Sequence, residues 1–197
     1  MIKKKVLDDL LKKGNGYLKT ADVTKMGISR ENLSRYVSDN KLDRVARGIY
    51  ASSDTWDDDL YIIGLKNKRI IYSHETALYL LGLMEREPIK KTVTVNLGYN
   101  ASHLTKLGIK VFTVIDEYFE IGKSETATKY GNLVTVYDMD RTICDVIRSK
   151  DKIDIQIFNY ALKGYMASSN KKLPNLMKYA KILGVENKVR TYTEVML

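Results

Sequence analysis

The residue types best suited to reading another molecule lie between Ser29 and Arg47. Ser29 is followed at helical spacing by Arg30, Asn32, Ser34 and Arg35, and Arg44 and Arg47 stand a few residues further on. An arginine fork matches the acceptor edge of guanine, an asparagine amide matches adenine, and serine hydroxyls reach base or phosphate. A helix starting at Ser29 points free N–H groups outward, a natural phosphate site. Other groups hint at chemistry singly. His74 stands beside Glu75, a pairing that suggests acid–base work. The zinc motif H-E-x-x-H needs a second histidine where Leu78 stands, so His74 reads as an ordinary helix-start residue. Gly122-Lys123-Ser124 matches the end of a phosphate-binding loop, but the upstream glycine position holds Glu117. Cys144 is the single cysteine, which excludes a disulfide framework and a cysteine-based zinc site. Among Ile143, Val146 and Ile147 it reads as a buried core thiol. Two histidines, His74 and His103, leave little for a histidine-rich metal site. We expect no metal and no cofactor.

Composition bounds the rest. The 197 residues are 44% hydrophobic and 29% charged, which is ordinary for a globular chain able to bury a core. No apolar run approaches the roughly 20 residues a membrane span needs. The start, Met1-Ile2-Lys3-Lys4-Lys5-Val6, has basic residues but no long apolar segment or cleavage site. The expectation is a soluble, reduced, cytoplasmic protein with no membrane partner. Its net charge is +9, from 33 Lys+Arg against 24 Asp+Glu. Lysine dominates the basic residues, as AT-rich codons would favour, so a solvated lysine surface accounts for part of the excess. The distribution says more than the total. Residues 1–50 hold 12 Lys/Arg against 6 Asp/Glu, residues 51–145 hold 11 against 14, and residues 146–197 hold 10 against 4. A basic head, an acidic middle and a basic tail suggest separate binding surfaces. Ser52, Ser53 and Asp54, with Asp57, Asp58 and Asp59, mark a linker and a domain boundary near residues 52–60.

These charges need elements to hold them. Val6, Leu7, Leu10 and Leu11, after Ile2 and Lys3, recur at helical spacing up to Gly14-Asn15-Gly16, a terminator and turn. Tyr17-Leu18-Lys19 is a short extended piece. Thr20 is placed to cap a short helix from Ala21 to Met26. Gly27 permits the positive φ needed to leave it, Ile28 is an apolar plug, and Ser29 caps the next helix, Arg30 to Ser38. Leu33, Tyr36 and Val37 share one face of that helix; Glu31, Ser34, Arg35 and Ser38 share the other. A short helix, a glycine turn and a polar-faced helix make a helix-turn-helix. Leu42 to Ala46 and Ile49 to Ala51, around Arg47-Gly48, make a two-stranded hairpin, the wing. The set expected to touch DNA is Thr20, Ser29, Arg30, Asn32, Ser34 and Arg35, with Arg44 and Arg47 meeting backbone or minor groove.

Beyond the linker the pattern is mixed. Thr92–Asn96, Lys110–Val114 and Leu133–Tyr137 read as strands, and Ser73 is placed to cap a helix through about Leu83. Arg141–Ser149, Ile153–Ala167, Asn175–Leu183 and residues 185–196 read as helices. The expected fold class is α+β: a winged helix-turn-helix over residues 1–55, then a mixed α/β domain over 56–197 that ends in helices. Its tail carries Lys163, Lys171, Lys172, Lys178, Lys181, Lys188 and Arg190 among Tyr160, Tyr165, Tyr179 and Tyr192. Cations interleaved with tyrosines suit a second nucleic-acid surface or an acidic partner; a lysine-coated amphipathic helix gives the same pattern.

The run Gly16-Tyr17-Leu18-Lys19-Thr20-Ala21-Asp22-Val23, with Gly27-Ile28-Ser29, Leu33-Ser34-Arg35-Tyr36-Val37 and Leu42-Asp43-Arg44-Val45-Ala46-Arg47-Gly48-Ile49-Tyr50, resembles the N-terminal domain of the AbiEi antitoxins of type IV toxin–antitoxin, phage abortive-infection systems. Where that pattern often has glycine before the wing, this chain has Asp39-Asn40-Lys41, so Asn40 is expected to take the left-handed turn. Tyr72-Ser73-His74-Glu75-Thr76-Ala77-Leu78-Tyr79-Leu80-Leu81-Gly82-Leu83 is similar to the helix that opens the family's C-terminal domain, and Tyr137-Asp138-Met139-Asp140-Arg141-Thr142-Ile143-Cys144-Asp145 to its later strand-to-helix junction. The resemblance implies an autorepressor that binds inverted repeats in its own promoter. It also implies neutralisation of a nucleotidyltransferase toxin, AbiEii, without a stable complex, so residues 56–197 would be the antitoxin domain and the tail lysines its first candidate surface. No long apolar heptad stands in the N-terminal domain, so we expect a monomer or weak dimer.

A second resemblance competes for one motif. An apolar strand followed by Asp138-Met139-Asp140-Arg141-Thr142 looks like the first motif of haloacid-dehalogenase-type phosphatases. That likeness implies Asp138 as nucleophile, Asp140 as acid/base and a bound Mg²⁺, hence a metal-dependent phosphotransferase tethered to a winged helix. Too little chain follows Thr142 for such a domain, and Asp151, Asp154 and Glu186 are too scattered to complete the metal site. Asp138 as a helix cap is the simpler reading, and a non-enzyme the expected outcome.

Overall fold

A computed structural model of the chain describes residues 2–196. The chain forms two compact units, the first running up to Lys68 and including Ala127–Leu133, the second holding Arg69–Thr126 and the chain from Val134.

In the first unit α1 (Ile2–Lys13) buries Leu7 and stops where expected. Asn15 and Gly16 both take positive φ there, and a Cβ on Gly16 would collide with the Thr55 side chain. β1 (Tyr17–Lys19) leads straight into α2 (Thr20–Lys25). Thr20 is the first residue of α2 rather than its cap. Lys19 holds the cap position and makes no side-chain capping bond, while the Thr20 N–H donates to the Gly48 carbonyl at 2.8 Å. The wing therefore supplies the acceptor for one of the free N–H groups of the first turn, and the Thr20 side chain, one residue past the cap position, caps none of the others. Gly27 takes φ +68, Ile28 is buried, and α3 (Arg30–Asp39) follows. After α3 the left-handed residue is Lys41, with φ +50. Asn40 stays at φ −99 because its side-chain amide donates to the Tyr36 carbonyl at 2.9 Å. β2 (Asp43–Ala46) and β3 (Ile49–Ala51) make the wing, turning at Arg47-Gly48 with Gly48 at φ +73. β3 lies between β1 and β2, antiparallel to both, with Leu18 opposite Tyr50 and Arg44 opposite Tyr50. Leu7, Leu18, Val23, Ile28, Leu33, Tyr36 and Leu42 close the core beneath.

The acidic stretch read as a linker lies within this unit. α4 (Asp59–Lys66) is capped by Asp58, which is only 2% exposed. Asp58 accepts from the Tyr61 N–H at 3.1 Å, the Thr128 hydroxyl at 2.5 Å and the Asn132 amide at 2.8 Å. One carboxylate thus fixes both the start of α4 and the returning 127–133 segment.

In the second unit β4 (Ile71–Tyr72) precedes α5 (His74–Leu80), then come β5 (Thr92–Asn96), α6 (Ser102–Lys106), β6 (Lys110–Val114), α7 (Asp116–Phe119), β7 (Lys123–Ala127) and β8 (Leu133–Tyr137). The strand order is β6-β5-β4-β8-β7; β5 runs parallel to β6, β4 antiparallel to β5 and parallel to β8. α8 (Met139–Arg148), a 3₁₀ turn, α9 (Ile155–Ala167), α10 (Leu173–Ile182) and α11 (Glu186–Met196) complete it. The fold is α+β, a winged helix-turn-helix followed by a mixed α/β part ending in helices, as the sequence indicated. α8 is the hub: Asp140 through Ile147 are all buried, and it packs against α5, α9, α10 and α11. Ser73 precedes α5 but does not cap it by its side chain. Its buried hydroxyl instead accepts from Thr94 at 2.8 Å and sits 3.0 Å from His74 Nδ1.

Candidate nucleic-acid interface

α3 is built to face two ways. Leu33 and Tyr36 go inward, and the Tyr36 hydroxyl donates to Asp8 on α1 at 2.7 Å. Burial is the larger cause, and the Asp8 hydrogen bond the second, that pushes the Tyr36 phenol's pKa well up. With Leu33 and Tyr36 in the core, the opposite face of α3 looks to solvent: Arg30, Glu31, Ser34, Arg35 and Ser38 are exposed. Ser29 caps α3, accepting from the Asn32 N–H at 3.4 Å and from the Asn32 side-chain amide at 2.8 Å. The Asn32 amide is therefore held against the cap, and its side-chain carbonyl is the part left for a ligand.

Arg30, Arg35, Arg44 and Arg47 are all exposed, and none makes an ion pair or side-chain hydrogen bond among the described residues. The ion pair nearest them in sequence, Lys25 with Asp22 at 3.9 Å, is itself exposed and worth little. Four unpaired guanidinium groups around a capped helix and a wing can form bidentate bonds to bases or phosphates without first breaking an internal pair. Thr20 is half-buried below the wing turn.

One feature of this unit escaped the sequence reading. Trp56 is 75% exposed and stacks near-parallel on Tyr130, ring centroids 6.4 Å apart. The pair borders a cleft of about 670 Å³ that also touches Lys12, Asn15 and Asp54. The only signal was a lone tryptophan inside an acidic stretch; its partner lies in the returning segment.

The chemistry suspected in the second unit is occupied. Asp138 caps α8, accepting from the Arg141 N–H at 2.8 Å, and accepts from the Tyr179 hydroxyl at 3.0 Å. Asp140 accepts from the Tyr165 hydroxyl at 2.7 Å and the Lys172 N–H at 3.1 Å. Burial raises the Asp138 pKa, and burial beside Asp138 pushes the Tyr179 phenol up to about 12. The D-x-D pair thus ties α8 to α9 and α10. Arg141, fully buried, donates to Asp145 at 3.0 Å and to the carbonyls of Tyr118 and Ile121 at 2.6 and 2.7 Å, over the Tyr137 ring. Gly122 packs against that arginine, and Lys123 pairs with Glu120 at 2.9 Å. Cys144 is buried, which pushes its thiol pKa well up. Among the described residues no group of three or more His, Cys, Asp or Glu is arranged to hold a metal ion, and no helix is long and apolar enough to cross a membrane.

Of the tail residues, Lys163, Lys172, Lys178, Lys181 and Lys188 are exposed, and half-buried Lys171 donates to the Ser168 carbonyl at 3.1 Å. Lys178 and Lys181 share a face of α10. The tyrosines between them turn inward: Tyr165 and Tyr179 bond the two aspartates, and Tyr192 accepts from Lys150 at 3.0 Å. Tyr160, 50% exposed, is the one left for stacking in that group.

No curated protein matches the chain. Among solved structures it is similar to the RV2827C protein from Mycobacterium tuberculosis, with a TM-score of 0.54 at 10% identity, covering 89% of this chain and 70% of that one. At that identity the likeness is one of fold. Residues 5–53 match the family model described as transcriptional regulator, AbiEi antitoxin. Over that segment, which ends just past the wing, the chain carries the sequence pattern of the AbiEi antitoxin regulators that Gly16 to Tyr50 already resembled.

Proposed function

We propose that the chain is the antitoxin and transcriptional autorepressor of a type IV toxin–antitoxin operon. Its winged helix binds inverted repeats in its own promoter, one protomer per half-site, as a monomer or weak dimer. Arg35, Arg30, Ser34 and the Asn32 carbonyl lie toward the bases, the Ser29 end of α3 and Thr20 toward phosphate, and Arg44 and Arg47 toward backbone or minor groove. The observation that carries this reading is the set of four exposed arginines without internal partners, inside the segment matching a regulator family. A second activity, antagonism of a nucleotidyltransferase toxin without a stable complex, belongs to residues 56–197. The exposed lysines at 163, 172, 178, 181 and 188, with half-buried Lys171, are the surface to test first, because charge is what a nucleic-acid or nucleotide-handling antagonist needs.

The two activities are separable in the full chain. A reporter driven by the operon's promoter and a growth assay with the toxin co-expressed are run side by side. Arg30→Ala with Arg35→Ala is expected to lift repression and leave rescue intact. Charge reversal at Lys171, Lys172, Lys178 and Lys181 is expected to abolish rescue and leave repression intact. Repression by the arginine variant would overturn the assignment of α3, and rescue by a folded lysine variant would remove the tail from the mechanism.

A further inference from the structure

The second unit contains a cavity of about 320 Å³ that the regulatory reading does not use. Its wall includes His74, Thr94, Lys110, Arg148, Ser149 and Lys152, drawn from α5, β5, β6 and the end of α8 with the turn after it. Among the described residues Arg148 and Lys152 have no carboxylate partner; Arg148 lies 5.9 Å over the Tyr118 ring. Lys110 donates to Glu75 at 3.1 Å and to the Lys152 carbonyl at 2.7 Å. Two carboxylates also reach the wall. Asp145 is already bonded by Arg141 and Lys110 is answered by Glu75, which leaves Arg148 and Lys152 facing the single carboxylate of Asp151 on the wall.

The wall is held rigidly. His74 is 3% exposed and takes φ +47, a left-handed conformation uncommon for a non-glycine residue and here held inside packed structure. Its ring stacks on Phe112 with centroids 3.5 Å apart, and its nitrogens lie 3.0 Å from the Ser73 hydroxyl and 3.1 Å from the Ser149 hydroxyl. Burial, then the charges of Lys110, Arg141, Arg148 and Lys152, keeps the imidazole neutral. Strained backbone of this kind collects at ligand sites. The ligand chemistry follows from the donors. The Arg148 guanidinium and the Lys152 ammonium, free of carboxylate partners among the described residues, with the Ser149 hydroxyl beside them, suit a compact multivalent oxyanion; the Thr94 hydroxyl is already donated to Ser73 and Lys110 to Glu75. Phe112 already has one face covered by His74 and Lys110 5.1 Å from its centroid, so the site offers no open ring to a base. The volume is at the small end of ligand sites.

We propose that this cavity binds a phosphoryl group, with Arg148 and Lys152 as the charged contacts and Ser149 as a hydroxyl donor steadied by His74. The group is either free phosphate or pyrophosphate, or the terminal phosphate of an oligonucleotide.

The test is a titration of the full chain followed by the ring proton signals of His74 in NMR spectra. The probes are inorganic phosphate, pyrophosphate, a 5′-phosphorylated trinucleotide and the same trinucleotide without phosphate. A saturable shift of the His74 signals by the phosphate-bearing probes, absent with the unphosphorylated one, is expected. Arg148→Ala and Lys152→Ala should each weaken it roughly tenfold or more, and Arg35→Ala should leave it unchanged. Tighter binding of the phosphorylated trinucleotide than of free phosphate and pyrophosphate assigns the group to nucleic acid; the reverse order assigns it to a free phosphate. A shift that does not saturate, or one that survives both Arg148→Ala and Lys152→Ala, overturns the site. Both replaced side chains are exposed and without a carboxylate partner among the described residues, and unchanged backbone amide signals in each variant separate loss of binding from loss of fold.

Discussion

Arg35 in the first unit extends into solvent with no partner among the described residues, whereas Arg141 in the second is fully buried and bonded to one carboxylate and two carbonyls. The same side chain is left open in one unit and closed in the other. An exposed guanidinium costs the fold almost nothing to keep or remove, and is available to a phosphate or a base edge. A buried one is held by its partners, and removing it strands an uncompensated charge. Charge count therefore misleads unless each charge is traced to its partner.

That contrast has a large expected effect at Arg141. Arg141→Ala leaves Asp145 buried and unpaired and frees two carbonyls, so a loss of about 3–5 kcal/mol is expected in denaturant unfolding. A loss under about 1 kcal/mol would remove the distinction between the two arginines. A smaller effect comes from His74, whose pKa is drawn well below 6.5, first by burial and then by the surrounding cations. The unfolded chain then binds a proton that the folded one does not, so this contribution is complete above pH 6.5 and is lost as pH falls below it. Between pH 7.5 and 5.5 the wild type should lose about 1.4 kcal/mol more than His74→Gln. Equal losses would show that the histidine is not held neutral by the fold. The first unit should respond least. Ser29→Ala removes a real cap and is expected to cost about 1 kcal/mol. Thr20→Ala, whose hydroxyl caps nothing, should stay within about 0.5 kcal/mol. Reversal of that order would return Thr20 to the capping role its sequence position suggested.

Much of the architecture was legible because it is local. Periodicity placed β5, β6 and β8 at their observed bounds, and glycine and serine chemistry placed the turn at Gly27 and the cap at Ser29. What escaped depends on partners far along the chain. β4 is two residues long, too short for any alternation, and β7 reads Lys-Ser-Glu-Thr-Ala with hardly a buried position. Asp58 sits in a run of acids that reads as a solvated linker until Thr128 and Asn132 arrive to donate to it. Thr20 and Ser73 have the right side chain at the right place for a cap, but Gly48 and Thr94 bind them differently. The exposure of the candidate arginines was legible as residue types, since a polar face on a helix and a wing turn needs only local pattern. The engagement of Asp138 with Tyr179 and of Asp140 with Tyr165 was not, because three helices converge there.

The central claim is that the open face of α3 reads a specific promoter sequence, and Arg35 tests it most directly. Fluorescence anisotropy of the full chain is measured at one salt concentration on its own promoter fragment and on a shuffled duplex of equal length. Arg35→Ala should lose about 1–3 kcal/mol of affinity for the promoter, roughly 5- to 150-fold, with little change on the shuffled duplex. Equal losses on both duplexes, or none on either, would contradict the account.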